Sequence, residues 1–190
     1  MEGGDLMEKM CFRRTALVAA AAVCCFSAAA SALTIEINYD YDALGFFNPA
    51  VNPYAVQARA AIENAAKSYE MLTDHLLAIE EYGGNTWSAT ITNPATGSTV
   101  YIPGLVVPED TMIVYVGGRS LGSSTLGQGG PGGYTAQAYD QEWFALLKSR
   151  GQAGALTSPA TDFEPWGGSI SFNSAVTWNY SLDSGPSDGS

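Results

Sequence analysis

Beyond residue 32 the chain has no cysteine; Cys11, Cys24 and Cys25 all lie in the first 32 residues. Residues 33–190 can therefore form no disulfide, no thiolate zinc site and no cysteine nucleophile. Order must come from elsewhere, from a sound core or from bound calcium. Positive charge is also scarce: after residue 32, five Lys and Arg face sixteen Asp and Glu, a net charge of −11. Such a surface repels phosphate backbones and argues against a nucleic-acid partner, while suiting solubility and cations. Histidine is scarcer still, with His75 alone. A metal site needs several converging ligands, and a Ser-His-Asp triad needs a serine on a sharp turn as well. Neither pattern accompanies His75, which is read as an ordinary helix residue. No apolar run reaches the roughly 20 residues that span a bilayer, so no stable membrane span is expected after the leader.

The beginning of the chain reads as that leader. Arg13 and Arg14 precede an apolar, alanine-rich run from Thr15 to Ala30, and Ala30-Ser31-Ala32 is an A-x-A cleavage site before Leu33. Residues 1–32 are expected to be a signal peptide and the protein to be secreted or held in the cell envelope. Residues 33–190 are long enough for one domain with its own core.

Leu33 to Tyr41 alternates apolar and polar side chains and predicts a half-buried strand. Asn52-Pro53 then opens a helix. Its stripe is Ala55, Ala58, Ile62, Ala65, Tyr69, Leu72, Leu76 and Ile79, with Glu63 and Lys67 paired on the wet side and Gly83-Gly84 as the stop. Trp87, Ala89 and Ile91 mark a second strand, and Thr99 to Ile102 a hairpin partner. Met112 to Val116 is apolar throughout, as in a strand covered on both faces. Residues 117–133, rich in glycine, are expected to form a long surface loop; they lack the Gly-Lys-Ser/Thr ending of a phosphate-binding loop. Asp140 to Arg150 predicts a short helix with Asp140 as N-cap and Gly151 as stop. Gly167 to Asn173, and then Trp178 and Tyr180, follow as extended pieces. The expected fold class is α/β (α+β layered): a small mixed sheet with a long packed helix.

The carboxylates are scattered. Glu36, Asp40 and Asp42 lie in or after the first strand, Asp162 and Glu164 precede Pro165, and Asp183 and Asp188 lie near the end. They are read as solvated or calcium-binding, without the ligand order of an EF-hand loop. A glycosidase-like pair depends on spatial separation and stays open at this point.

One stretch is more specific. Phe163-Glu164-Pro165-Trp166-Gly167-Gly168-Ser169-Ile170-Ser171-Phe172-Asn173, followed by Thr177-Trp178, resembles the edge-strand region of metzincin zinc metallopeptidases of the matrixin-like branch, as found in bacterial secreted metalloproteases. The order strand, long helix, strand, buried strand, edge strand is similar to that family's upper subdomain. The resemblance implies that Gly168, Ser169, Ile170, Ser171, Phe172 and Asn173 form the edge strand that pairs with an extended protein or peptide substrate. The family's structural-zinc positions in this strand correspond to Ser169 and Ser171, so no structural zinc is expected. The family's zinc-binding helix carries H-E-x-x-H-x-x-G-x-x-H, and that motif does not occur in these 190 residues. No catalytic residue or metal ligand can be carried over, and zinc is expected only in a full-length protein. The resemblance thus reads residues 33–190 as the N-terminal part of a secreted zinc endopeptidase, inactive as it stands. Two alternatives remain: a secreted module that binds carbohydrate or a cell-surface partner through Trp87, Trp143, Trp166 and Trp178, or a calcium-stabilised structural domain.

Overall fold

A computed structural model of the protein describes residues 32–72, 75–162 and 166–180. The expected signal peptide lies outside the described residues except for its last residue, as do Phe163, Glu164, Pro165, Asp183 and Asp188.

The described residues form an α+β fold of two sheets and two helices, with one further turn of 3₁₀ helix. The elements are β1 (Thr34–Asn38), α1 (Ala55–Lys67), β2 (Thr86–Thr92), β3 (Thr99–Pro103), β4 (Thr111–Arg119), β5 (Gly127–Pro131), β6 (Gly133–Gln137), α2 (Gln141–Ser149) and β7 (Gly167–Asn173). One sheet has the order β1-β4-β7-β5, and the other β3-β2-β6. In the first, β1, β4 and β7 run parallel and β5 runs antiparallel to β7. The second is wholly antiparallel.

The small mixed sheet expected from the sequence is the first of these, and β2 and β3 lie outside it in a second, antiparallel sheet. The reason lies in β2. Its alternation gives it one apolar face, with Trp87, Ala89 and Ile91 buried. Such a strand belongs to a layer wet on its other side. Its apolar face meets Ile113, Tyr115 and Trp166 of the first sheet's region, and Trp143 and Leu147 of α2, to form the main core. β4 lies inside the first sheet, between β1 and β7, as its apolar run requires.

The long helix is shorter than its apolar stripe. α1 stops at Lys67, residues 68–71 turn, and from His75 the chain is extended. Leu76 and Ile79 are still buried, but by different means. The Leu72 and Leu76 carbonyls accept from Leu33 and Asp110, and Ile79 forms an antiparallel bridge with Val107. Neighbouring segments take the backbone groups that a helix would have used internally, and tertiary pairing overrides local spacing. Glu63, expected to pair with Lys67, accepts a hydrogen bond from the Tyr39 hydroxyl at 3.1 Å. Asn52 is not the N-cap expected and Pro53 is not the first helical residue: the helix begins at Ala55, Tyr54 stands at the N-cap without a side-chain cap, and the Asn52 side-chain oxygen accepts from Tyr54 N–H at 3.0 Å in the turn before it.

The glycine-rich segment is not one loop. Its first residues, Gly117 and Gly118, extend β4, and its later ones form β5. Glycine is needed at Gly118 because a Cβ there would lie 2.5–2.6 Å from the Phe46 side chain. α2 forms as predicted. The Asp140 side chain accepts from Glu142 N–H, and Arg150 closes the helix in a left-handed conformation ahead of Gly151.

Candidate functional site

The six residues Gly168, Ser169, Ile170, Ser171, Phe172 and Asn173 do form a strand, but it is not an edge. β4 pairs along one rim of β7 from Gly167 to Asn173, and β5 pairs along the other from Gly168 to Phe172. A strand already paired on both rims has no backbone groups to offer a peptide. The edge is β5. Its five residues, Gly127-Gln128-Gly129-Gly130-Pro131, are all exposed, and among the described residues its second rim has no strand beside it at the end of the sheet order. Sequence reasoning missed this strand because glycine carries no alternation. The only local hint was Pro131, since proline is tolerated at sheet edges.

The side chains of β7 have structural tasks. Ser171 Oγ accepts from Arg119 Nε at 3.2 Å, while Arg119 also donates to Gln128 Oε1 at 2.7 Å, so one guanidinium ties β4, β7 and β5 together. Asn173, fully buried, donates through Nδ2 to the Gly122 and Thr125 carbonyls, both at 2.7 Å, and accepts from Leu121 and Ala175. It therefore pins the loop that leads from β4 into β5.

Alternate residues of the first sheet face α1. They include Ile35, Ile37, Met112, Val114, Ile170 and Phe172, none of them fully buried. α1 covers one part of this face through Ala58 and Ile62. Beside the helix, among the described residues, lies a groove of about 730 Å³ walled almost wholly by apolar side chains, with Asp162 also along it. After β7 the chain turns back towards the same face. Trp178 donates to the Asn173 carbonyl and packs against Phe46 and Phe172, and Tyr180 stacks on Tyr54.

The titratable residues do not converge. His75 lies in extended chain rather than in a helix, with Nδ1 3.0 Å from Asp110 Oδ1. Asp110 also accepts from Leu76 N–H at 2.8 Å. Next to it, the buried Arg150 donates to the carbonyls of Leu77, Thr111 and Pro108 at 2.8–2.9 Å. Burial lowers the Arg150 guanidinium to about 10, against an opposing pull from Asp110, so it stays cationic at neutral pH. This cluster staples α2 to the chain before β2 and to β4. The part-buried Asp42 carboxylate accepts from Phe46, Phe47 and Gly118 N–H. Burial, and then the bond to Glu63, raises Tyr39; burial raises Tyr115 to about 12. Among the described residues no group of three or more His, Cys, Asp or Glu could hold a metal ion, and no helix is long and apolar enough to cross a membrane.

The tryptophans cannot all serve a sugar ligand as expected. Trp87, Trp143 and Trp166 are at most 5% exposed. Their indole N–H groups donate inward, to the Leu105, Glu80 and Gly133 carbonyls. Comparison with protein families, with curated proteins and with solved structures finds nothing that matches this chain.

Proposed function

We propose that the chain is the N-terminal, sheet-and-helix part of the catalytic domain of a secreted zinc-dependent endopeptidase. The observation that carries this reading is the apolar groove beside α1. A sheet face of this kind, with one helix on part of it, would be completed by a second amphipathic helix, and Trp178 and Tyr180, after β7, pack on that same side. The zinc ligands and the general base would come with that helix. The described residues do not fit zinc themselves, since their one histidine is engaged by Asp110, and no step through the metal is assigned to them.

The part these residues would play is to hold the substrate. The open rim of β5 offers backbone N–H and C=O groups to an extended peptide, which adds as a further strand. Gly127, Gly129 and Gly130 carry no side chains, so such pairing reads backbone rather than sequence. Pro131 has no N–H and ends the ladder. The substrate edge of this reading is therefore β5, not β7.

The test is to express the complete coding sequence and, separately, residues 1–190. The longer product is expected to carry an H-E-x-x-H helix and to cleave casein until zinc is chelated, and the shorter one to be inactive. Cleavage of casein by residues 1–190 with zinc, or a coding sequence with no ligand-bearing helix, overturns the proposal.

A further inference from the structure

Among the described residues, no other element covers the outward face of the second sheet. Along β2 the outward residues are Thr86, Ser88, Thr90 and Thr92, opposite the buried Trp87, Ala89 and Ile91. The register places Pro103 and Thr135 on either side of Ser88, and Tyr101 and Gly133 on either side of Thr90. Gln137 lies beside Thr86. None of these positions is charged, in a protein with a net charge of −11. The face is concave at one end, where a groove of about 610 Å³ runs between Glu81, Ser88, Gly104 and Gln137. The Glu81 carboxylate is fixed there by one oxygen, which accepts from Trp87 N–H at 2.8 Å. Its second oxygen faces Gly104, where even a Cβ would stand 3.6 Å away. Gln137, which lines the groove, donates through Nε2 to the hydroxyl of the exposed Tyr139 at 2.6 Å. At the other end Tyr101 is 60% exposed.

We infer that this face binds a neutral oligosaccharide. Hydroxyl and amide side chains both donate and accept, as a polyol requires. The held carboxylate oxygen accepts from sugar hydroxyls, and Tyr101 gives a flat apolar platform with a polar tip. Thr86 to Thr90 spans about 14 Å at the rise of a strand, which suits a short run of sugar units. The lack of lysine and arginine disfavours acidic polymers, which the net charge repels as well. The lack of a central cluster of large apolar side chains disfavours a protein partner. The site lies on the other sheet from β5, so this inference does not depend on the peptidase reading.

The experiment is calorimetric titration of the protein, expressed from its complete coding sequence, with neutral hexasaccharides of β-1,4-glucan, β-1,3-glucan, mannan and xylan. Alginate serves as the acidic comparison. Saturable binding to at least one neutral hexasaccharide is expected, equal at low and high salt because no ion pair is made. Tyr101→Ala should weaken it about tenfold. Ser88→Glu, which places a charge on the groove floor, should abolish it. Both positions face solvent, and an unchanged circular dichroism spectrum checks the fold; should Ser88→Glu misfold, Thr135→Glu replaces it. The inference is overturned by the absence of saturable binding to all four, by tighter binding of alginate, by binding that survives both substitutions, or by a face that takes a protein alone.

Discussion

Replacing Arg150 tests the account of how α2 is held. The guanidinium is fully buried and donates to three carbonyls, those of Leu77, Thr111 and Pro108. Arg150→Ala leaves these acceptors without that donor and opens a void where the side chain lay. An unsatisfied buried acceptor costs roughly 1–3 kcal/mol, and relaxation and water recover part of the sum. A net loss of about 4 kcal/mol is expected, in line with removal of one partner from a buried charged network. For a chain of this size that lowers the melting temperature by about 8–16 °C. The same residue sits at φ 47° as the helix C-cap, so Arg150→Gly should be less damaging than Arg150→Ala by about 1 kcal/mol. Urea denaturation of the three proteins, with equal slopes required, separates the two effects: the shared loss reports the guanidinium, and the difference reports the backbone. A loss below about 1 kcal/mol in Arg150→Ala would refute the reasoning, because the carbonyls would then be satisfied without the arginine.

Gly118→Ala forces a Cβ against the Phe46 side chain at 2.5–2.6 Å and should destabilise by about 1–3 kcal/mol, measured by the same denaturation; pairing it with Phe46→Leu should recover part of the loss. Asn173→Ala removes the pin of the loop before β5, and limited proteolysis is expected to cut within residues 120–126 much faster than in the parent. Tyr115 is raised from its ordinary 10 to about 12, so the folded state keeps this proton when the unfolded state has lost it. The stability it contributes is complete below pH 10 and is lost as the pH rises towards about 12. Tyr115→Phe should shallow that alkaline decline, as read by unfolding midpoints between those values; an unchanged slope counts against the assignment.

Much of the fold was legible where one local pattern decides. Alternation identifies β1, β2 and β7, and β3 follows as the hairpin partner of β2; Asp140 and Gly151 bracket α2 through capping chemistry that acts over a few residues. Two kinds of information were not local. The spacing of Tyr69, Leu72, Leu76 and Ile79 fits a helix, yet the pairing of Ile79 with Val107 and of Leu72 with Leu33 draws that segment out. The partner that decides its conformation is remote in sequence. Likewise Gly127 to Pro131 has no side-chain pattern, and it becomes a strand only because β7 presents a rim to it. That addition moved the candidate substrate edge from β7 to β5: sequence shows which segments extend, while pairing decides which of them ends a sheet. The outward residues of β2, its threonines and serine, stand beside Tyr101 and Gln137 only through a register that no local pattern prints.

β5 ends at Pro131 in one sheet and β6 begins at Gly133 in the other, so a single residue joins the two layers. Gly132 N–H donates to the Gly167 carbonyl at 2.8 Å, the Trp166 ring occupies the place of any side chain there, and the indole donates to Gly133. Such a joint has no slack. It acts as a rigid elbow, fixing the dihedral between the layers and allowing neither an inserted residue nor an independent swing. A strand zipped onto the rim of β5 would therefore lie one residue from the start of β6, and any shift it imposed on β5 would have to be taken up across Gly132.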